Sequence, residues 1–199
     1  MANPDHEKMI KQGMPAWNRW RMENPDLTID LSHADLSGLN LILGDLQGVN
    51  LSGATLKIVD LAGANLSGAI LTGANLNRSD LSKANLSRAM LRGADLSDCN
   101  LRFANLNGAD LSHACLEDAS LRGVDFGGTV LDGASLTGAN FWKAVIGNTS
   151  LNDVDLSEVS GLESVIHKAA SIFNEDTIFK SFENIPAIFI QGIKQDSQE

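Results

Sequence analysis

Four histidines and two cysteines are the side chains of this sequence that most often bind zinc or act as nucleophile and base. His33 and His113 occupy equivalent places in a 20-residue coil that the repeat described below predicts. The 80 residues between them make four such coils, so about 19 Å separates the two rings at the usual inter-strand spacing. Because zinc ligands sit about 2 Å from the ion, the two rings cannot share one. We therefore predict no metal site.

The two cysteines, Cys99 and Cys115, give no stronger indication of chemistry. The repeat places Cys99 inward as a small core residue, and Cys115 outward with no histidine in register to activate its thiol. Two cysteines make no disulfide framework, which is consistent with a reducing cytoplasm. The aspartates recur at turn-forming positions, and no glycine-rich phosphate-binding loop occurs. We expect a protein that is not an enzyme and that holds no cofactor.

Charged side chains form two outward columns when the sequence is wound into 20-residue coils. The basic column combines four cations with two aromatic side chains: Lys83, Arg102, Phe103, Arg122, Trp142 and Lys143. The acidic column lies beside it: Asp95, Asp98, Glu117, Asp118, Asp155 and Glu158. Both columns are compatible with ordinary solvated charge, and both are compatible with contact to a macromolecule. The basic column is the candidate partner-contact surface.

These columns depend on a repeat of five residues that runs without insertion. A central apolar residue recurs from Leu31 to Leu156, which makes 26 units, and only Phe126, Phe141 and Ile146 replace leucine. A small residue, usually alanine, stands two positions before each centre, and Asp or Asn often lies between them. Ser or Thr, and then Gly, typically follow the centre. Such a continuous internal repeat is typical of solenoids.

A period of five excludes both a helix and a straight strand over the repeat, since neither keeps all the centres on one side. A chain that turns a corner every five residues does satisfy the pattern, because residues i and i−2 of an extended segment share a face. Four sides close a coil of 20 residues, so 26 units make about 6.5 coils and a stack of roughly 31 Å. The centres then form columns along the axis of the stack.

The repeat resembles that of the pentapeptide-repeat family, in which the five positions are a small residue, Asp or Asn, Leu or Phe, Ser, Thr or Arg, and often Gly. The resemblance covers residues 29–160. It implies an all-β solenoid, a right-handed quadrilateral β-helix. The segment "WNRW" and the residues that follow it are also similar to the leader of cyanobacterial members.

Both ends of such a stack expose apolar centres and unpaired strand edges, so we expect caps at both ends. Residues 1–28 form the predicted N-terminal helical cap. Its helix spans residues 4–23, with Asn3 as N-cap and a stop at Asn24-Pro25. The side chains predicted to cover the first coil are Ile10, Met14, Trp17 and Trp20 or Arg21.

Residues 161–199 are the predicted C-terminal part, with a register break at Gly161, a capping helix over 162–170 and an apolar tail. The tail holds Phe173, Phe179, Phe182, Ile188, Phe189 and Ile190. Similar segments in some family members lead toward a signalling domain, so the tail is interpreted either as a docking element or as a remnant. Its apolar content predicts a possible homodimer through this end.

The overall composition excludes several classes of function. Fifteen Lys and Arg against 25 Asp and Glu give a net charge of −10, which makes direct nucleic-acid binding an unlikely third option. The N-terminal residues lack the pattern of a signal peptide, and no apolar run reaches the length of a membrane span. We expect a cytoplasmic protein with no membrane partner.

Two functional hypotheses remain. The first is a non-catalytic interaction scaffold for an unknown protein partner, because solenoids display side chains at fixed spacing on rigid faces. The second is an acidic mimic of DNA that binds a type II topoisomerase. The resemblance suggests this second role, since some quinolone-resistance members of the family are acidic dimeric rods that occupy the DNA groove of topoisomerases. The basic column speaks against a continuous acidic surface.

Overall fold

The computed structural model describes residues 2–177 and 185–194 of the chain. Its elements, in chain order, are α1 (Pro4–Ile10), α2 (Met14–Glu23), β1 (Val145–Ile146), a 3-10 helix (Leu162–Ser164), β2 (Ile166–His167) and α3 (Ala187–Lys194). Within the described ranges, no helix combines the length and the apolar character needed to cross a membrane. The region between α2 and β1 consists of the repeats.

The repeats form stacked coils of 20 residues, as predicted. The residue before each centre pairs in parallel with the residue 20 positions later, beginning with Asp30 and Asn50 and continuing to Asn140 and Ser160. Backbone hydrogen bonds follow the same step, as in the 2.8 Å bond that the Leu31 N–H donates to the Asn50 carbonyl. Each side of a coil is so short that it contributes a single bridge. The ladder of bridges, not any long strand, holds the stack together.

The core is the interior of the stack. All 26 centres are at most 2% exposed, and the small residues two positions earlier are buried beside them. Phe126 and Phe141 stack with their ring centroids 5.2 Å apart, which lets two aromatic rings share a core otherwise filled by leucine. Burial of each centre contributes about 1.5–3 kcal/mol before the entropy of ordering the chain is subtracted.

The corners of the coil have a left-handed backbone conformation. The second residue after the centre has a positive φ in 25 of the 26 units, in 12 glycines and 13 other residues. Glycine adopts this conformation without steric cost, but Ile58, at φ 56°, is β-branched and does not. The stacking of the coils therefore imposes the corner conformation even where the residue type opposes it.

The N-terminal cap consists of two helices, so the prediction of one helix over residues 4–23 is wrong. Asn3 does cap α1, with the Asp5 N–H donating to its side chain at 2.9 Å, and α2 does end at Asn24. The break lies at Gly13, whose φ is 92°. Pro15 explains it, because a proline inside a continuous helix has no N–H to donate and its ring clashes with the preceding turn.

The prediction of a capping helix over residues 162–170 is also wrong. A single 3-10 turn follows Gly161, which does mark the register break with φ 80°, and the chain then forms β2. β2 pairs in parallel with β1, and Val145 lies opposite Ile166, a step of 21 residues instead of 20. The exposed edge of β1 offers unpaired donors and acceptors, so the chain extends the ladder here and forms no helix.

Only part of the apolar tail lies within the described residues. Phe189 of α3 is 2% exposed and lies edge-on to the His167 ring, with centroids 5.3 Å apart. Ile188, on the same helix, is 61% exposed. Phe179 and Phe182 fall outside the described residues. The described part of the tail thus covers the last turns of the chain with one aromatic side chain and presents another apolar side chain outward.

Candidate interaction surface

The thiols are not activated for chemistry. Cys99 is buried, as predicted, and its Sγ lies 2.9 Å from the Leu76 carbonyl. Burial raises the pKa of the Cys99 thiol to about 12. Cys115 is half-buried, and burial raises its pKa as well. Both residues are therefore protonated at neutral pH, and a protonated thiol is a weak nucleophile and a weak metal ligand.

The histidines lie in four separate places. His33 and His113 stand at the same corner of the coil, each with its ring over the glycine one coil further on. His6 is a buried residue of α1, and its Nδ1 accepts a 3.1 Å hydrogen bond from the Asp30 N–H. His167 packs on α3, and burial lowers its pKa. Across the described part of the chain, no group of three or more His, Cys, Asp or Glu could hold a metal ion.

Polar side chains inside the stack are structural. Ser79, Thr129 and Thr149 are at most 2% exposed, as predicted for Ala-sized inward positions. Each hydroxyl donates to the backbone carbonyl 23 residues earlier, at 2.6, 2.7 and 2.8 Å respectively. The hydroxyls therefore link each of these coils to the preceding one by a hydrogen bond. They are paired within the core and face no surface that a substrate could reach.

The basic column exists in the structure as one corner of the coil. Backbone hydrogen bonds stack its members: Lys83 donates to the Arg102 carbonyl at 2.9 Å, and Phe103 donates to the Arg122 carbonyl at 3.0 Å. The Gly123 N–H then donates to the Trp142 carbonyl at 3.0 Å. The six side chains therefore project from four successive coils. The structure brings together all the residues that the sequence proposed as a contact surface.

Cations and aromatic rings are in contact along this corner. The Arg122 guanidinium carbon lies 4.6 Å from the centroid of the Trp142 ring, and the Lys143 Nζ lies 4.4 Å from the same ring. The Arg102 guanidinium carbon lies 5.9 Å from the Phe103 ring. Trp142 is 37% exposed and Phe103 is 55% exposed. The rings thus hold three of the four cations in place while remaining open to a partner.

Among residues 2–177 and 185–194, the four cations of the basic column have no acidic partner within ion-pair distance. In the described part of the chain, the ion pairs are Lys11 with Glu7, Arg21 with Asp45 and Lys168 with Asp125, and none involves this column. The Arg122 Nε is buried against its surroundings without a hydrogen-bond acceptor. The column therefore presents positive charge that the chain itself leaves uncompensated.

The acidic column occupies the neighbouring corner and side of the coil. Asp98 and Asp118 stand at corner positions with φ of 57° and 55°. Glu117 accepts a 2.9 Å bond from the Ser135 hydroxyl, and Asp95 accepts one from the Ser97 hydroxyl. Part of this negative charge is therefore engaged in bonds along the stack. The protein is polarised, with opposite charges on adjacent corners.

Sequence reasoning missed two features of the surface. Gly123 leaves the space into which the Phe103 ring leans, since a Cβ at Gly123 would lie only 2.7 Å from that ring. The signal was available: a glycine stands 20 residues after the aromatic residue. The second feature is an open polar groove of about 590 Å³ on another side, lined in part by Asn85 and Asn105, whose side-chain amides are hydrogen-bonded to each other.

Comparisons with known proteins agree with the repeat. A family model described as pentapeptide repeats matches in eight copies, over residues 29–57, 60–98, 85–123 and 114–153. No curated protein matches the sequence.

Several solved structures are similar to this chain. HetL, a pentapeptide repeat protein of the cyanobacterium Nostoc sp. strain PCC 7120 involved in heterocyst differentiation regulation, is 24% identical over 79% of this chain and 96% of its own, with a TM-score of 0.34. Rfr23, from the cyanobacterium Cyanothece 51142, is 31% identical over 61% and 91%, with a TM-score of 0.34. QnrB1, a plasmid-mediated fluoroquinolone resistance protein, is 17% identical over 75% and 95%, with a TM-score of 0.28. The family model covers more than half of the residues, and its matches coincide with the stacked 20-residue coils, so the chain belongs to the pentapeptide repeat family.

Proposed function

We propose that this protein is a non-catalytic scaffold that binds a protein partner through the basic column. The observation that carries the proposal is the set of four cations without acidic partners, three of them held against two exposed aromatic rings. Exposed aromatic and arginine side chains are the residue types that dominate binding energy at protein interfaces. Cations already ordered by the rings lose less conformational entropy when a partner binds.

The state of the two thiols and of the inward hydroxyls supports the non-catalytic part of the proposal. The thiols of Cys99 and Cys115 have raised pKa values, and the inward hydroxyls are paired in the core. The repeat scaffold supplies rigidity, because a ladder of parallel bridges and backbone hydrogen bonds joins successive coils. The right-handed sense of the coil, which the family resemblance implies, is part of this proposal.

Affinity capture from the native cell tests the proposal. The bait is the full chain, compared with Arg102→Glu/Arg122→Glu, which reverses two charges in the column. Lys57→Glu/Arg78→Glu is the matched control, since it makes the same change in net charge on another corner, where both residues are exposed. We expect at least one protein to be retained by the unsubstituted chain and the control and lost by the column variant. Identical retention by all three baits would reject the basic column as the binding surface.

The acidic column favours an alternative function, that of a DNA mimic that binds a type II topoisomerase. A mimic of duplex DNA needs negative charge around much of its surface, but four cations interrupt this surface one corner away from the acidic column. The alternative predicts that the purified protein inhibits or protects DNA gyrase in a supercoiling assay. No effect at micromolar concentration would eliminate it.

We also propose that a homodimer forms through the C-terminal end. Ile166, Ile172 and Ile188 are 48%, 62% and 61% exposed in this part of the structure. A second copy is one partner that would cover such apolar side chains. Light scattering of the full chain should give the mass of a dimer, and Ile172→Ser/Ile188→Ser should shift it toward the monomer. A monomeric mass for the unsubstituted chain would contradict this proposal.

A further inference from the structure

We infer that the partner presented to the basic column is an extended acidic peptide segment whose carboxylates stand about three residues apart. The inference rests on the proposed scaffold function and deepens it by naming the chemistry of the ligand. It follows from the spacing of the cations, from their lack of acidic partners among the described residues and from the contacts of the cations with two partly exposed aromatic rings.

The spacing of the coils sets the spacing of the cations. Arg102 and Lys143 project from coils that are two steps apart, because Arg102 aligns with Arg122 and Arg122 aligns with Trp142. At about 4.8 Å per coil, the two charges are separated by roughly 10 Å along the stack. An extended peptide advances about 3.3 Å per residue, so three residues cover the same distance. Carboxylates at positions i and i+3 of such a peptide would meet both cations.

The charges of the described residues define the sign of the ligand. The chain supplies no carboxylate within ion-pair distance of the four cations in the described residues. Arg122 and Lys143 are nevertheless held at 4.6 and 4.4 Å from the Trp142 ring centroid. Their heads are therefore ordered without being neutralised. An arriving carboxylate gains charge-assisted hydrogen bonds to donors that are already in position.

The aromatic rings favour a peptide over a single-stranded nucleic acid. Single strands bind by stacking bases on exposed ring faces, whereas here Arg122 and Lys143 lie against the Trp142 ring and Arg102 lies over Phe103. The cationic stretch from Lys83 to Lys143 also spans only three coil steps, about 14 Å. The acidic column on the next corner and the net charge of −10 would repel a longer polyanion.

Fluorescence anisotropy with defined probes tests the inference. The first probe is a fluorescein-labelled 12-residue peptide, four repeats of Glu-Leu-Ser, and the second replaces every Glu with Gln. The third has the composition of the first but its four glutamates are adjacent, and the fourth is a 12-nucleotide oligothymidine. With the full chain, we expect the spaced Glu peptide to bind at least about tenfold more tightly than the Gln peptide, and more tightly than the clustered peptide.

The variants decide whether the binding uses the basic column. Arg102→Glu/Arg122→Glu should weaken binding of the spaced peptide at least about tenfold, and Lys57→Glu/Arg78→Glu should leave it within about twofold. Arg102→Gln/Arg122→Gln, a milder change, keeps the test valid if the reversal unfolds the protein. Equal binding by both charge-reversal variants, or tighter binding of oligothymidine than of the spaced peptide, would overturn the inference.

The outcome separates this inference from the proposed function. If no acidic peptide binds but capture from the native cell still depends on Arg102 and Arg122, the acidic ligand is wrong and the scaffold stands. If capture is also independent of these residues, both are wrong.

Discussion

The two ends of the stack meet the same physical problem in different ways. An open coil end leaves backbone donors and acceptors of a strand edge unpaired and exposes buried centres. At the N-terminal end, side chains from a separate pair of helices cover this edge. At the C-terminal end, the main chain itself continues the ladder irregularly and then covers it.

The N-terminal cap is anchored by side chains that bond to the backbone of the first coil. The Trp17 Nε1–H donates to the Asp45 carbonyl at 2.8 Å, and the Trp17 ring is fully buried. Asn18 accepts from the Asp45 N–H at 2.8 Å and donates to the Leu43 carbonyl at 3.0 Å. His6 accepts from the Asp30 N–H. These side chains substitute for the missing coil.

At the C-terminal end, the edge of the last coil is covered first by the backbone of the continuing chain and then by a side-chain hydroxyl. The Leu151 N–H donates to the Ile172 carbonyl at 2.7 Å, and Ser150 lies opposite Ile172, so the ladder continues with a step of 22 residues. The Thr177 hydroxyl then donates to the Leu151 carbonyl at 2.6 Å and accepts from the Val154 N–H at 3.2 Å. The comparison shows that edge coverage does not require the pair of docked helices found at the N-terminal end. It requires donors and acceptors at the coil spacing, which either side chains or a continuing chain can supply.

The largest expected effect is on the free energy of unfolding, and it compares the buried aromatic side chain of each cap. Trp17→Ala removes a fully buried indole and its bond to the first coil, and should lower the free energy of unfolding by about 3–5 kcal/mol. Phe189→Ala should release α3 locally and change global unfolding by about 1 kcal/mol or less, because Thr177 still covers the last coil. Urea unfolding measures the first effect, and hydrogen exchange of α3 measures the second. A larger loss for Phe189→Ala would show that α3 is the principal cap.

The next largest effect is the loss of stability when a Cβ is added to a closely packed glycine at each end. Gly161→Ala places a Cβ 2.5 Å from the Trp142 backbone nitrogen at φ 80°, and should cost about 1–3 kcal/mol from the overlap and about 1–2 kcal/mol from the backbone strain. Gly44→Ala meets the Met14 Sδ at 2.5 Å, and this flexible side chain can move away. Its cost should be roughly 1 kcal/mol. Thermal unfolding of both variants would contradict this contrast if Gly44→Ala proved the more damaging.

A smaller effect compares the last polar anchor at each end. Thr177→Val leaves a buried carbonyl at Leu151 and a buried N–H at Val154 without partners, so it should cost about 2–3 kcal/mol in all. His6→Phe leaves only the Asp30 N–H without a partner and should cost about 1–3 kcal/mol in all. The matched variants Thr177→Ser and His6→Asn each keep a polar atom and should recover part of the loss. Equal costs for the two primary variants would contradict the contrast.

The smallest expected effect is the loss of stability at acidic pH. Hydrogen bonds from the Ser32 backbone and side chain lower the pKa of Asp30 near the first coil. Burial alone would raise the pKa of Asp132, but hydrogen bonds from Ser150 and Asn152 outweigh it and lower this pKa as well. The stability from both carboxylates is therefore fully present above the unfolded pKa of about 3.9 and is lost as the pH falls through the folded values.

The measurement is urea unfolding as a function of pH. The free energy of unfolding should decline below about pH 4–5, and Asp30→Asn/Asp132→Asn should flatten that decline. Asp35→Asn is a further variant of the same kind, because hydrogen bonds from the Ser37 side chain and backbone lower the pKa of Asp35 too. An unchanged slope in the double variant would show that other carboxylates carry the acid sensitivity.

The sequence predicted the repeat region well because its pattern is redundant. An apolar residue at every centre, nearly always leucine, and a usually small residue two positions before it leave one way to bury both, so the coil length and the core could be derived before any coordinates. The basic column followed from the same arithmetic, since residues 20 apart must stack. The ends lacked this redundancy. Pro15 indicates the break at Gly13, but the helical spacing of Ile10 and Met14 favoured one continuous helix.

The amino-acid sequence by itself determined the five-residue period, the buried columns and the placement of opposite charges on neighbouring corners. These features repeat, so each unit constrains the others. The tertiary structure alone decided the left-handed conformation of Ile58, the lean of Phe103 over Gly123 and the pairing of β2 with β1. The physical reason is that these features depend on the adjacent coil, which is about 20 residues away in sequence. That coil supplies the backbone hydrogen bonds and the free space that fix these conformations, so the preferences of the local residues do not predict them.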